Sequence, residues 1–490
     1  TTSVTTPAAS MTVAMLAARS DPELLVEVGG GPGLAPEGAH GSAANLATGV
    51  ISTPRGNATL VGMAVNQMGR ISATTSVTEN GSIILRAQGA AQSSNEGVRA
   101  TRAGALVLGA GSQTTIAPDD GRSQNDGQPL TSDGNATFVN PRIDLAGQSV
   151  LLDRGAQVVA PGATVDVRAE RTPSYAAYDQ RAFTADGAGD ARIVLADGAL
   201  IDVSGFTTAT DNVSRYFVTT ELLGSNDLKD APLQKDGLLY RSKATIDVRD
   251  DSAILGSLES YRDGIQQSIE ERLSSGGEVR LTAGRGVLTH ANSRIDVSGG
   301  QVNLTAADVR ETQLIGANGQ VYDLNSAPAD QVYGSALNLQ RGGAAGYDRW
   351  GVKVNYGALT PTHHEEGYVE GRAAGSVRIV APRVVLEGAL DAQVVNGTRQ
   401  QQGQDTLASR GSFSVGAVSQ NGQDFTSSTY GANAVLDSFN LSTLGPQNTD
   451  AVWADPLESV LPAVSGMKRD LLAQSGFGQV AVAADGNVSV

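Results

Sequence analysis

The sequence predicts an all-β chain wound as a β-solenoid, and three observations carry that prediction. Short strands alternate apolar and polar side chains, which sends every second residue to one face. The strands are separated by corners of Gly, Asp or Asn. Near-identical strand words also return far apart, as in Ile201-Asp202-Val203-Ser204-Gly205 and Ile295-Asp296-Val297-Ser298-Gly299.

The repeating unit is a short strand, a turn and another short strand. It reads GSIILRA at 81–87, RIDLAGQSVLLDRGAQVVAPGATVDVRAE at 142–170 and ARIVLADGALIDVSG at 191–205. It returns at 277–306, at 375–397 and at 478–490. In 294–298 the apolar Ile295 and Val297 share one face, predicted to point inward, and Asp296 faces out. Strands this short bury a face only by stacking on the next turn of the same chain, which predicts about a dozen coils of about 25 residues. Gly and Asn suit corners that need positive φ. A β-sandwich shares the short alternating strands. The brevity of the strands, the lack of Cys or a Trp core marker, and the distant repetition favour the solenoid.

Composition agrees. Gly supplies 59 of 490 residues and aromatics only 4 %, so the apolar 40 % is mostly small or branched, as a narrow core requires. Cys is absent, so neither disulfides nor thiolate metal sites hold the fold, as suits a chain threaded unfolded through a pore. A net charge of −16 disfavours nucleic acid and anionic lipid as partners. No apolar run of about 20 residues predicts membrane insertion. The start, TTSVTTPAAS, has no signal-peptide pattern, so the chain is expected to be a mature product or a piece of a longer one.

Along the chain, 1–50 reads as an irregular segment with a short helix around Asp21 to Val28, and 51–205 as coils. An excursion follows at 206–276. Within it, 257–273 places Leu258, Tyr261, Ile265, Ile269 and Leu273 on one stripe of an amphipathic helix, with Ser257 at its start. Coils resume at 277–306 and give way to an aromatic-rich excursion at 307–374. The remainder, 375–490, reads as coils with a polar loop, holding interspersed strands, at 398–435. The excursions are expected to project from one side.

Several phrases resemble the filamentous-haemagglutinin family of two-partner-secreted exoproteins. They are Gly56-Asn57-Ala58-Thr59-Leu60-Val61-Gly62, Val65-Asn66-Gln67-Met68-Gly69-Arg70-Ile71-Ser72 with the following Ala73-Thr74-Thr75-Ser76, and Asn80-Gly81-Ser82-Ile83. Asp230-Ala231-Pro232-Leu233-Gln234-Lys235-Asp236-Gly237 and Gly367-Tyr368-Val369-Glu370-Gly371 resemble it too. The resemblance implies a right-handed parallel β-helix, export to the bacterial surface through an outer-membrane transporter, and a role in adhesion, aggregation or biofilm. The family's amino-terminal secretion domain, which engages that transporter, is not in this chain. The partners implied are a host or bacterial surface glycan or protein, with lateral self-association a further expectation.

No catalytic centre, cofactor or metal site is predicted. His363-His364-Glu365-Glu366 sets four ligand types in a row, but neighbours on a strand face opposite ways. Asp119-Asp120 and Asp250-Asp251 invite comparison with the carboxylates of polysaccharide-cleaving β-helices. The accompanying motifs occur in the wrong order, and turn capping accounts for such Asp residues. Tyr322, Tyr333, Tyr347, Trp350, Tyr356 and Tyr368 crowd into one excursion, which makes it the candidate contact surface. Two classes stay open: a structural rod displaying adhesive surfaces, and a β-helical carbohydrate-active enzyme or glycan-binding module.

Overall fold

The computed structural model describes residues 2–3, 24–27, 42–62, 64–87, 90–94, 97–102, 104–123, 125–170, 191–223, 226–341, 354–356, 362–416, 436–446, 461 and 464–490. For 2–3, 24–27, 42, 90–94, 97–102, 341 and 354–356 it describes the backbone path alone.

Three long sheets, of ten, ten and seven strands, organise the chain, which visits them in rotation. Asn57–Gly62 lies in the first sheet, Ala64–Gln67 in the second and Arg70–Thr75 in the third; Ser82–Ala87 then returns to the first, beside Asn57–Gly62. The rotation repeats as far as Ala389–Asp391, and within each sheet every ladder is parallel, which excludes a sandwich of antiparallel strands. Register explains the core. Ile83, Ile143, Val165, Val279 and Val377 face one another across successive ladders of the first sheet, and Ile201, Ile295 and Leu390 do so in the third. These side chains join one apolar core fed by all three sheets. Burying each contributes about 1.5–3 kcal/mol. Ile295 and Val297 point inward as the alternation predicts, at 1 % and 0 % exposure.

One corner distinguishes successive coils. Between the third sheet and the first, one short link is the turn at 160–163, where Gly162 takes φ 63° and the Ala163 N–H reaches the Ala160 carbonyl at 3.1 Å. At the same corner of the next coil, the chain leaves after Val203 and returns at Gly277, whose N–H donates to the Val203 carbonyl at 2.8 Å. In the coil after that, Gly375 donates to the carbonyl of Val297 at 2.7 Å. Two long insertions, 204–276 and 298–374, therefore occupy the place of a single turn. Shorter ones, 119–141 and 392–411, sit at this corner on neighbouring coils. The repeated Ile-Asp-Val-Ser-Gly marks both long exits: Asp202 and Asp296 each accept the N–H two residues on, at 2.9 Å.

Stacked at one corner, the two long insertions build a second core. Ile246, Ile254 and Leu258 from the first pack with Leu314, Leu324 and Tyr333 from the second. A four-stranded antiparallel sheet of Phe217–Glu221, Ser242–Asp247, Leu339–Arg341 and Val354–Tyr356 joins them.

The structure departs from the sequence reading in several places. Residues 257–273 do not form one helix. Glu259–Asp263 is helical, the chain turns at Gly264, and Gln266–Ser268 pairs antiparallel with Thr131–Asp133. A second helical turn, Ile269–Arg272, then starts on the Ser268 hydroxyl. The striped residues Leu258, Ile265, Ile269 and Leu273 are buried all the same, so burial rather than helical continuity produced the periodicity. Within 1–50, Leu24–Glu27 is a strand of the first sheet, not a helix, and Ser42–Asn45 is a strand of the second. Partnering an existing ladder outweighs the local helical preference there. Gln301–Thr305 pairs with Ala209–Asn212 and Tyr368–Gly371 instead of continuing a coil. Within 398–435, Thr398–Gln401 is helical, which the sequence reading did not expect, while Ser412–Val415 is a strand of the first sheet, in line with the strands expected within that loop. Asp296 faces outward but is only 9 % exposed, because the Arg294 guanidinium covers it at 2.7 Å.

Candidate functional site

All four insertions at the shared corner contribute to one cleft of about 720 Å³. Gly134 and Asn135 come from the first, Arg215 through Ser275 from the second, Tyr368 through Ala373 from the third, and Gln400 through Ser409 from the fourth.

One wall is assembled by Gln400, which is 5 % exposed and uses every hydrogen-bonding position of its amide. Its Oε1 accepts the N–H groups of Gly371 and Gly397, both at 2.9 Å. Its Nε2 donates to the carbonyls of Gly371 and Thr406, both at 3.0 Å. Gly371 is required because a Cβ there would stand 1.6 Å from the Val395 carbonyl oxygen.

The floor is a stack of guanidinium groups and phenol rings. Arg399 lies 5.7 Å from the centre of the Tyr368 ring, and Arg249 lies 6.0 Å from that ring and 5.9 Å from that of Tyr216. Arg215 lies 5.8 Å from Tyr216. Contacts of this kind contribute roughly 0.5–2 kcal/mol each. Carboxylates hold every cation in place: Asp405 and Asp247 grip Arg399 and Arg249 in two-pronged pairs, and Glu365 adds a third oxygen to Arg249 at 2.8 Å.

Arg372 bridges two carboxylates. Its Nη2 lies 3.2 Å from Glu271 and its Nη1 3.0 Å from Glu370. Glu271 also pairs with Arg215 at 2.9 Å, and the Tyr216 hydroxyl donates to Glu370 at 3.0 Å. Burial pushes the Glu271 carboxyl above its ordinary range, against the pull of Arg215 and Arg372. Burial likewise raises the Tyr368 phenol to about 12, with Arg249 opposing the shift. Burial disfavours the charge of Arg249, but Asp247 and Glu365 more than reverse that and hold it firmly protonated.

Of the six aromatic residues singled out in the sequence, Tyr368 alone is brought to this cleft among the described side chains. Tyr333 is 5 % exposed and donates to the Pro328 carbonyl at 2.6 Å, so it packs the second core rather than offering a contact surface. Tyr322 lies edge-on to it, with ring centres 6.1 Å apart. Tyr347 and Trp350 lie outside the described residues, and Tyr356 is described in its backbone alone. The His-His-Glu-Glu run divides as strand alternation requires: His364 meets Asp308 at 3.0 Å and Glu365 turns to Arg249. Among the described residues, no three His, Asp or Glu side chains gather to hold a metal ion. Asp119 and Asp120 accept the N–H groups of Gly121 and Arg122, as turn caps do. Burial works against the Asp119 charge, but Arg55 and the Gly121 N–H outweigh it and hold its pKa below the ordinary value.

The density of aromatic residues along the sequence does not single out the cleft residues Arg215, Tyr216, Arg249, Glu271, Glu370, Arg372 and Gln400. The adjacent Arg215-Tyr216 pair inside an excursion was the signal available, since Arg and Tyr are the residues most often used in contact sites. Among the described residues, no helix is long and apolar enough to cross a membrane. Comparison of the chain with family models, with curated proteins and with solved structures finds no match.

Proposed function

We propose that the chain is a right-handed parallel β-helix serving as a structural display segment of a large secreted bacterial surface adhesin. The observation that carries this reading is the placement of the long insertions at one corner of successive coils, where each leaves and returns across a single hydrogen bond. A scaffold of that kind presents variable surfaces at no cost to its core. The handedness follows from the strong preference of parallel crossovers for the right-handed path. The phrases that resemble filamentous haemagglutinins support export through an outer-membrane transporter and adhesion to a surface glycan or protein.

Imaging the purified chain tests the scaffold: ten strands at about 4.8 Å spacing give a rod on the order of 45 Å long with a lateral mass on one flank. A sphere without that flank would count against it. Beads coated with the chain should aggregate or bind cells, and shortening both 204–276 and 298–374 to turns should abolish this.

A second reading, a polysaccharide-cleaving enzyme, is favoured by the Glu271 and Glu370 carboxylates on one guanidinium. Against it, Glu271 is only 7 % exposed and both its oxygens are engaged by Arg215 and Arg372. Turnover of a polysaccharide, lost in Glu370→Gln, would promote it over the scaffold.

A further inference from the structure

We infer that the cleft at the shared corner binds a short neutral oligosaccharide. The inference rests on the display reading for its location and goes beyond it by naming the ligand's chemistry.

Volume and shape come first. About 720 Å³ lies within the range of small-ligand sites, and it admits roughly two to four sugar rings. The charge pattern then narrows the ligand. Four arginines and five acidic residues line the cleft, so neither sign prevails. A polyanion would need several uncompensated cations, and here Arg215, Arg249 and Arg372 are each held by carboxylates, while Arg262 is tied to the carbonyls of Val248 and Arg249. A cation would need converging free carboxylates, whereas Glu271 and Glu370 are spent on Arg372, Asp405 is spent on Arg399, and among the described residues no three acidic side chains gather to hold an ion. Interleaved donors and acceptors suit a sugar hydroxyl, which donates and accepts at once. An apolar peptide or lipid would find the phenol rings of Tyr216 and Tyr368 already occupied by guanidinium groups and little other apolar surface.

The cleft is also preorganised. The saturated amide of Gln400 and the alternating guanidinium and phenol stack lock the rotamers of wall and floor before any ligand arrives. A polar ligand then meets groups whose ordering entropy is already spent, which is how weakly apolar sites reach useful affinity. The rim supplies adjustable groups: Gln404 and Thr406 are exposed and carry none of the structural bonds through their side chains.

The test uses the full chain on a printed array of neutral and acidic oligosaccharides, followed by calorimetry with the best neutral tri- or tetrasaccharide. Thr406→Trp should fill the cleft and weaken that binding about tenfold or more while leaving the melting temperature in place. Should that variant misfold, Gln404→Ala on the rim must weaken binding instead. No neutral ligand on the array, a preference for acidic glycans, or binding indifferent to the folded variant would each overturn the inference. A rod that binds no saccharide defeats this inference and spares the scaffold. Saccharide binding lost in Thr406→Trp, on a particle that is not a rod, does the reverse.

Discussion

The side chain of Gln400 binds both backbone polar groups of Gly371, accepting its N–H at 2.9 Å and donating to its carbonyl at 3.0 Å. One side chain thus stands in for a neighbouring strand at the edge of Tyr368–Gly371, where Arg372 and Glu370 must be aimed into the cleft. Gln400→Ala would leave buried groups on Gly371, Gly397 and Thr406 without partners, at a cost on the order of 4 kcal/mol in local stability. Hydrogen exchange should quicken at residues 371 and 397 and stay unchanged in Glu278–Ala283. Unchanged exchange at residue 371 would show that the amide does not hold the wall.

Val297 and Asp296 test the two faces of a coil. Val297 is fully buried, so Val297→Asp places a carboxylate among stacked aliphatics and should cost more than about 4 kcal/mol. Asp296 accepts the Ser298 N–H at 2.9 Å and meets Arg294 at 2.7 Å. Asp296→Ala should therefore cost about 1–2 kcal/mol rather than nothing. Urea unfolding midpoints of the two variants measure the difference, and equal midpoints would reverse the assignment of faces.

Leu314 belongs to one insertion and Ile246 to the other, yet both sit in the second core. Leu314→Ala should cost about 2–5 kcal/mol there. Because the core is shared, exchange should rise in Ser242–Asp247, on the other insertion, and not in Arg142–Gly147. A rise confined to the strand carrying Leu314 would mean that the insertions fold independently.

Glu311 makes stability fall with pH. Burial, then Asp323, Asp247 and Glu365, push its carboxyl from an ordinary 4.5 up to about 7. A folded pKa above the unfolded one favours the protonated fold. Its contribution is complete below about pH 4 and is lost as pH rises through about 7. Glu311→Gln should melt close to the parent chain at pH 4 and above it at pH 8. A gap between the two melting temperatures that is the same at both pH values would refute the shift.

Much of the strand pattern was legible in the residues themselves. Alternation in Arg294–Asp296 or Thr164–Ala169 is a local property, and a strand with one apolar face has one inward side whatever surrounds it. The insertions were legible only as interruptions. The stripe in 257–273 reads as a helix because three- and four-residue spacing is ambiguous when a chain bends at Gly264 and is drawn into pairing with Thr131–Asp133. Likewise, Tyr333 and Tyr368 look equivalent in sequence. One is sealed beneath the second core and the other lines the cleft.

By itself, the sequence determined which side chains face inward, where the corners fall and that the chain is rich in strands, because these follow from the period of two and from Gly and Asp turn chemistry between near neighbours. Only the tertiary structure decided that insertions starting some ninety residues apart meet at one corner, since that depends on the register by which Val203 and Val297 fall at equivalent points of successive passes through the three sheets. Strand spacing of about 4.8 Å then sets Arg215, Glu271, Glu370 and Gln400 around one cleft. No local pattern encodes that meeting, because its members interact through the stacking of coils and not along the chain.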